Sequence, residues 1–159
     1  MGRAMSVTAA PGGGVDVRLP PELRGLLVSV ARQMHEVLTE DEYADSPILA
    51  RLFPTAVEDD PMATLGFEQL MGKAIRDGKI EAATVLAATA GNERLSAEET
   101  LAWLRCLNDV RLMLGTHLNV SEDVDMETYL EDPATEHAAV VYLALSELLE
   151  MLVRAVDPT

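Results

Sequence analysis

The chain has 159 residues, a length that fits one domain with its own hydrophobic core. Its 27 acidic and 12 basic side chains give a net charge of −15, which disfavours direct binding to nucleic acid phosphates and favours basic protein partners. The single cysteine, Cys106, excludes an intramolecular disulfide framework, and no signal peptide or membrane-spanning segment is evident, so we expect a soluble cytoplasmic protein.

The N-terminal part is predicted to be a flexible tail followed by one short strand. The tail covers residues 1–14 and closes with Pro11-Gly12-Gly13-Gly14, a run that cannot build a core. Val15–Leu19 alternates between apolar and polar residues like a strand, and Pro21 then opens a helix that reaches about Leu38. Because a lone strand leaves its backbone groups unpaired, it needs another extended segment or a second subunit.

Three further helix starts place proline at the first helical position, directly after a polar cap. They are Ser46-Pro47, Asp60-Pro61 and Asp132-Pro133. The first leads a short helix stopped by Pro54. The second leads a helix to about Arg76, which is interrupted at Asp77-Gly78 and resumes over Lys79–Thr89.

A capping box, Ser96-Ala97-Glu98-Glu99, opens the most informative helix of the chain, with Gly115 as its predicted stop after Leu114. The helical period gathers one broad apolar face: Trp103, Cys106, Leu107, Val110, Met113 and Leu114. Cys106 is therefore expected to point inward as a small core residue rather than to act as a redox sensor, which needs an exposed thiol of lowered pKa.

Four polar residues of this region have distinct expected places. Arg105 and Asp109 fall together on the polar side, at the spacing of an exposed ion pair. Asn108 and Arg111 fall among leucines and need buried partners, for which Arg51 is a candidate. Arg51, Asn108, Asp109 and Arg111 thus form either a structural network that locks neighbouring helices or a ligand site, and the structural network is favoured.

The last predicted helix, Pro133 to Val156, is apolar around more than half of its circumference. It is either the central helix of a bundle or a helix that also forms a dimer face, with Val141, Leu145, Leu148 and Leu152 as the candidate residues. The predicted fold is mainly α, a compact helical bundle of about five to six helices, with or without one short N-terminal strand. It occupies residues 15–156 as a single domain, and 157–159 form a C-terminal tail.

The sequence resembles an actinobacterial family known only as domain of unknown function 2017. The residues that carry the resemblance are Arg51-Leu52-Phe53-Pro54-Thr55-Ala56, Asp59-Asp60-Pro61, Trp103-Leu104, Leu107-Asn108-Asp109, Arg111-Leu112, Leu114-Gly115-Thr116 and Glu122-Asp123. They cover most of Val15 to Val156. Genes of this family tend to lie near those of a Clp protease adaptor and of sulfur-carrier enzymes, so the resemblance implies a regulatory or adaptor role, in transcription or proteolysis, rather than catalysis.

No catalytic, cofactor or metal motif is recognised in the sequence. His35, His117 and His137 lack the spacing of paired ligands on one helix face. The acidic stretch that begins at Asp123 departs from a calcium loop, because Thr128 replaces the required glycine and Ala134 the closing glutamate. We therefore expect no cofactor and no metal.

The leading functional hypothesis is a non-enzymatic regulatory or adaptor protein that binds a basic partner. The candidate surfaces are two acidic loops, formed by Glu40, Asp41 and Glu42 and by Glu122, Asp123 and Asp125. The alternative is a small-ligand-binding protein or enzyme with a pocket near Arg111 and Asn108. A weaker alternative is a DNA-binding dimer that uses Arg3, Arg18 and Arg24.

Overall fold

The structure, a computed structural model, describes the backbone of residues 5–39, 61–118 and 126–156, and the side chains of these except 61–73, 116–118 and 126. Within these ranges there are five α-helices: α1 (Pro21–Thr39), α2 (Pro61–Thr89), α3 (Ala97–Leu118), α4 (Met126–Glu131) and α5 (Glu136–Val156). The predicted mainly-α fold is confirmed. The short helix expected after Ser46-Pro47 lies outside the described residues.

A small sheet accompanies the helices and includes part of the predicted tail. Strands β1 (Ser6–Ala9), β2 (Val15–Arg18) and β3 (Arg94–Leu95) pair antiparallel in the order β1-β2-β3. The expectation of a flexible tail over residues 1–14 is therefore wrong for Ser6–Ala9. The strand expected at Val15–Leu19 is present, and its partners are two extended segments of the same chain.

The glycine run that suggested flexibility is the loop of the β1–β2 hairpin. Gly12 and Gly13 have φ values of 86° and 90°, a region that side-chain-bearing residues rarely adopt. At Gly14, an added Cβ would lie 2.0 Å from the Leu95 carbonyl oxygen, so the close approach of β3 requires glycine there. The Ala10 amide donates to the Gly14 carbonyl at 2.9 Å and closes the loop. Glycines that suggest flexibility in the sequence are therefore required here by a specific turn.

The helix α2 is continuous from Pro61 to Thr89, so the predicted interruption at Asp77-Gly78 is wrong. Glycine inside a helix costs about 1 kcal/mol relative to alanine. Burial of the face formed by Ala82, Ala83 and Leu86, which packs in the core with α1 and α3, outweighs that local preference. Tertiary packing thus keeps helical a segment whose sequence alone suggests a break.

The helix α3 begins at the predicted capping box. The Glu99 amide donates to Ser96 Oγ at 3.1 Å, and the Ser96 amide donates to Glu99 Oε1 at 2.8 Å, which confirms the prediction. The helix continues to Leu118, so Gly115 is not its stop. A Cβ at Gly115 would lie 3.6 Å from the Tyr142 ring, an ordinary van der Waals contact between α3 and α5.

The helix α5 begins at Glu136, three residues later than predicted. Asp132 does not cap this helix, although the sequence predicted that it would. Its carboxylate accepts a hydrogen bond from the Ala134 amide at 2.9 Å and its carbonyl accepts one from the Glu136 amide at 2.9 Å, and both bonds close the turn before α5. Residues Pro133 to Thr135 form a turn instead of the first helical turn. The preceding helix α4 was not predicted.

The helices pack in a chain of neighbours. Helix α1 packs on α2, α2 on α3, and α3 on α5, while α5 also packs on β1. The inner sheet face adds Val15, Val17 and Leu95 to this core. Within the described ranges, no helix is long and apolar enough to cross a membrane. Helices α1 and α5 pack mainly on these neighbours rather than on each other. They therefore lie on either side of α3 with space left between α1 and α5.

Candidate functional site

The residues predicted as a dimer face belong to the core of the chain itself. Val141, Leu145, Leu148 and Leu152 are buried in the described structure, where they pack in the same cluster as α3 and the sheet. The alternative left open by the sequence, that the last helix is central, is the one that the packing supports. Leu145, Leu148 and Leu152 have no exposed surface to offer to a second copy of the folded chain, whereas Val141 also lines the groove described below.

Among the described residues, Asn108, Asp109 and Arg111 do not form the predicted polar network on α3. Asn108 is exposed, because the leucines around it, Leu101 and Leu112, lie on the outer side of α3. Arg111 is half-buried, and Arg51 lies outside the described residues. Asn108 and Arg111 do not line the apolar groove described below, so that groove is not the pocket hypothesised near these two residues.

Asp109 is the buried member of this group, although it was expected to face water in an ion pair with Arg105. It is 5% exposed, and its Oδ1 lies 2.8 Å from Lys79 Nζ of α2. The Lys79 side chain keeps 18% of its surface exposed. Burial raises the pKa of the Asp109 carboxyl, and the hydrogen bond and charge of Lys79 offset part of that rise. The pair joins α2 to α3.

The sequence contains a signal for the position of Lys79. Lys79 falls three, four and seven residues before Ala82, Ala83 and Leu86, on the buried face of the helix. A lysine there requires an acidic partner. The predicted segment Lys79–Thr89 already contains this signal, but it does not identify the partner, because Asp109 lies thirty residues later on another helix.

Cys106 lies in the core, as predicted, with 1% of its surface exposed. Burial raises the pKa of its thiol to about 12; the charge of Asp109 adds to the rise and that of Lys79 opposes it. A thiol with so little thiolate at neutral pH is a poor nucleophile. The structure therefore assigns Cys106 to packing.

We expect Cys106 in the native protein to react with iodoacetamide at pH 8 at least about a thousand times more slowly than in denaturant, where its pKa returns to about 8.5. The reason is that both the thiolate fraction and access to the sulfur are reduced in the fold. Mass spectrometry of timed samples measures the two rates. Similar rates in the native and denatured states would contradict a buried, protonated thiol.

Arg24, one of the residues considered for DNA binding, has a structural role. Its Nη1 donates to the carbonyls of Ala90 and Asn92, each at 2.8 Å, and Nη2 donates to the Val17 carbonyl at 3.4 Å. The guanidinium thereby satisfies carbonyls just beyond the C-terminus of α2 and ties them to β2. Of the other two candidates, Arg18 is exposed on β2 and Arg3 lies outside the described residues.

The predicted acidic loops cannot be placed, because Glu40, Asp41, Glu42, Glu122, Asp123 and Asp125 lie outside the described residues. His35 and His137 are exposed on α1 and α5, and the side chain of His117 is not described. Among the residues with described positions, no group of three or more His, Cys, Asp or Glu side chains is arranged to hold a metal ion.

An apolar groove of about 320 Å³ opens between α1 and α5, with α3 as its floor. We call it the α1–α5 groove. Its lining residues are Leu26, Ser29, Val30, Gln33 and Met34 of α1, Val110, Met113 and Leu114 of α3, and His137, Ala138 and Val141 of α5. The helical period of α3 predicts that Val110, Met113 and Leu114 face the core, and it contains no sign of an opening there.

The groove has an apolar floor and a polar rim. Of the lining residues, Val30, Met34, Val110 and Val141 are buried. The rim carries the exposed side chains of Ser29, Gln33 and His137, and Gln33 Nε2 donates to Ser29 Oγ at 3.1 Å. A wall of this composition offers van der Waals contact to apolar groups and a few hydrogen bonds at the edge.

The sequence matches one family model, described as Domain of unknown function (DUF2017), over residues 4–156. The match covers almost the whole chain, and the chain therefore belongs to this family. The match also includes Ser6–Ala9, in agreement with their place in the sheet. No curated protein and no solved structure matches the sequence.

Proposed function

We propose that this member of the DUF2017 family is a non-enzymatic regulatory or adaptor protein that acts by binding another protein in the α1–α5 groove. The observation that carries the proposal is the groove itself: within the described ranges, apolar side chains of three helices converge on an open concave surface. Exposed apolar surface of this kind is costly in water and is characteristic of interaction sites. The family resemblance points to transcription or proteolysis as the regulated process.

A site-specific crosslinking experiment tests this function. A photoreactive amino acid replaces Gln33 on the groove rim or, as a matched control, Thr84, which is exposed on α2 away from the groove. After irradiation in cells that naturally express the protein, we expect a specific crosslinked partner from the Gln33 position and none from Thr84. Equal capture at both positions, or none at either, would contradict a protein-binding groove.

A second candidate is a small apolar ligand in the same groove, since a volume of about 320 Å³ lies within the range of small-molecule sites. This function predicts a bound adduct in native mass spectra of gently purified protein. It also predicts that the adduct disappears when a large side chain replaces Ala138. A clean apo spectrum, with no compound extracted by organic solvent, would exclude it.

A further inference from the structure

We infer that the occupant of the α1–α5 groove is a basic amphipathic α-helix of the partner protein, with apolar side chains in the groove and lysine or arginine side chains over its acidic edge. The inference rests on the proposed function and specifies the chemistry of the partner.

The walls of the groove favour a helix over an extended peptide. They are helices, whose backbone groups in mid-helix are already hydrogen-bonded within each helix, so they provide no strand edge to pair with an extended chain. A bound helix carries its own backbone hydrogen bonds and leaves no such group unpaired. Apolar side chains are then the main contribution to binding.

The dimensions of the groove fit a helix of a few turns. Its α1 wall runs from Leu26 to Met34, nine residues separated by eight rises of 1.5 Å, or about 12 Å. Apolar anchors at positions i, i+3 or i+4, and i+7 of a bound helix span about 10 Å. Three such anchors therefore match the length of this wall.

The charged side chains beside the groove favour a basic partner. On α1, Glu22 and Glu36 are exposed and lie seven residues to either side of Ser29, so the three share one helical line along the rim. Glu136 is exposed at the start of α5, next to the rim residue His137. Arg32 is also exposed on α1, three residues after Ser29, and adds one positive charge to this side of the helix, whereas the chain as a whole carries −15. This arrangement is complementary to lysine or arginine on the flanks of a bound helix.

Two synthetic helical peptides with identical leucine positions, i, i+3, i+4 and i+7, test the inference. One peptide carries lysine at its polar positions and the other glutamate. Fluorescence anisotropy measures their binding to the wild type, to Ala138→Arg in the groove, and to Thr84→Arg on α2. The two variants introduce the same charge, and circular dichroism checks that each is folded.

We expect the lysine peptide to bind the wild type, the glutamate peptide not to bind, and Ala138→Arg to weaken binding about tenfold or more while Thr84→Arg changes it by less than about twofold. The double variant Glu22→Gln/Glu36→Gln should weaken binding several-fold and reduce its salt dependence. Equal effects of Ala138→Arg and Thr84→Arg on binding would overturn the inference, because they would show that the lysine peptide binds the acidic surface of the protein without preference for the groove. If the lysine peptide fails to bind while crosslinking at Gln33 still captures a partner, the inference falls and the proposed function stands.

Discussion

Leu148→Glu is expected to unfold the protein rather than to dissociate a dimer. Leu148 is 0% exposed, so the substitution removes a packed side chain and places a carboxylate in the core. The two effects together should cost about 4 kcal/mol or more at neutral pH, a large part of the stability of a typical domain. Urea denaturation followed by circular dichroism, together with light scattering for the solution mass, measures the outcome.

Leu143→Glu on the same helix is the matched control, because Leu143 is 41% exposed. It should change the free energy of unfolding by less than about 0.5 kcal/mol. A folded monomeric Leu148→Glu variant obtained from a dimeric wild type would contradict the packing described here.

The pH dependence of Leu148→Glu has a definite sign. Burial raises the pKa of the introduced carboxyl above its unfolded value of about 4.3, so the folded state favours the protonated form. Its destabilising effect relative to the wild type should therefore be smallest near pH 4 and grow as pH rises towards neutrality. A penalty that is independent of pH over this range would indicate that the carboxyl reaches solvent.

Lys79→Met is expected to destabilise the protein by about 3 kcal/mol, because it leaves the carboxylate of Asp109 buried without its partner. The value lies at the low end for buried pairs, since the Lys79 side chain is 18% exposed. In Asp109→Leu, by contrast, the lysine can extend to solvent, and the loss should be smaller. The double variant Lys79→Met/Asp109→Leu should approach wild-type stability, since apolar replacement of a buried pair is often neutral or favourable.

A double-mutant cycle of these variants measures the coupling, which we expect to be about 3 kcal/mol or more, because the double variant is near wild type and both single variants lose stability. The exposed pair between Arg94 and Asp16, 2.6 Å between Nε and Oδ1, is the matched comparison and should show no comparable coupling. Equal coupling in the two pairs would contradict the buried position of Asp109.

The titration of Asp109 adds a pH test. Burial raises the pKa of the Asp109 carboxyl above 3.8, so ionisation of this group opposes folding. The contribution of the protonated carboxyl to the free energy of unfolding is therefore present at low pH and is lost as pH rises through the folded-state pKa. Asp109→Asn keeps an oxygen for Lys79. Its free energy of unfolding relative to that of the wild type should therefore be most favourable at neutral pH, and this advantage should shrink as pH falls. An advantage that grows as pH falls would contradict a raised pKa.

The elements that could be predicted are those whose signal is local. The capping box places the start of α3 at Ser96, and the helical period places Trp103 and Cys106 inside, as the structure confirms. The alternation of Val15 and Val17 with Asp16 likewise gives the inner and outer faces of β2. In each case, residues within a few positions of one another carry all the information.

The errors have a common physical origin in contacts between distant parts of the chain. The residues Gly12 and Gly13 look flexible in sequence, but they form the hairpin turn once β1 pairs with β2. Asp77-Gly78 looks like a break, but the packing of α2 keeps it helical. Asp109 occupies the polar side of α3 by periodicity, yet Lys79, thirty residues earlier, provides the charge that allows its burial.

By itself, therefore, the sequence determined the mainly helical fold, the capping box of α3 and the inward position of apolar α3 residues such as Trp103 and Cys106, because propensity, capping and periodicity act over one or two turns. Only the tertiary structure decided that Leu148 belongs to the core rather than to a dimer face, that Lys79 and Asp109 meet, and that a groove opens between α1 and α5. The physical reason is that burial and open space depend on how helices distant in sequence lie against one another, and a local pattern contains no record of that arrangement.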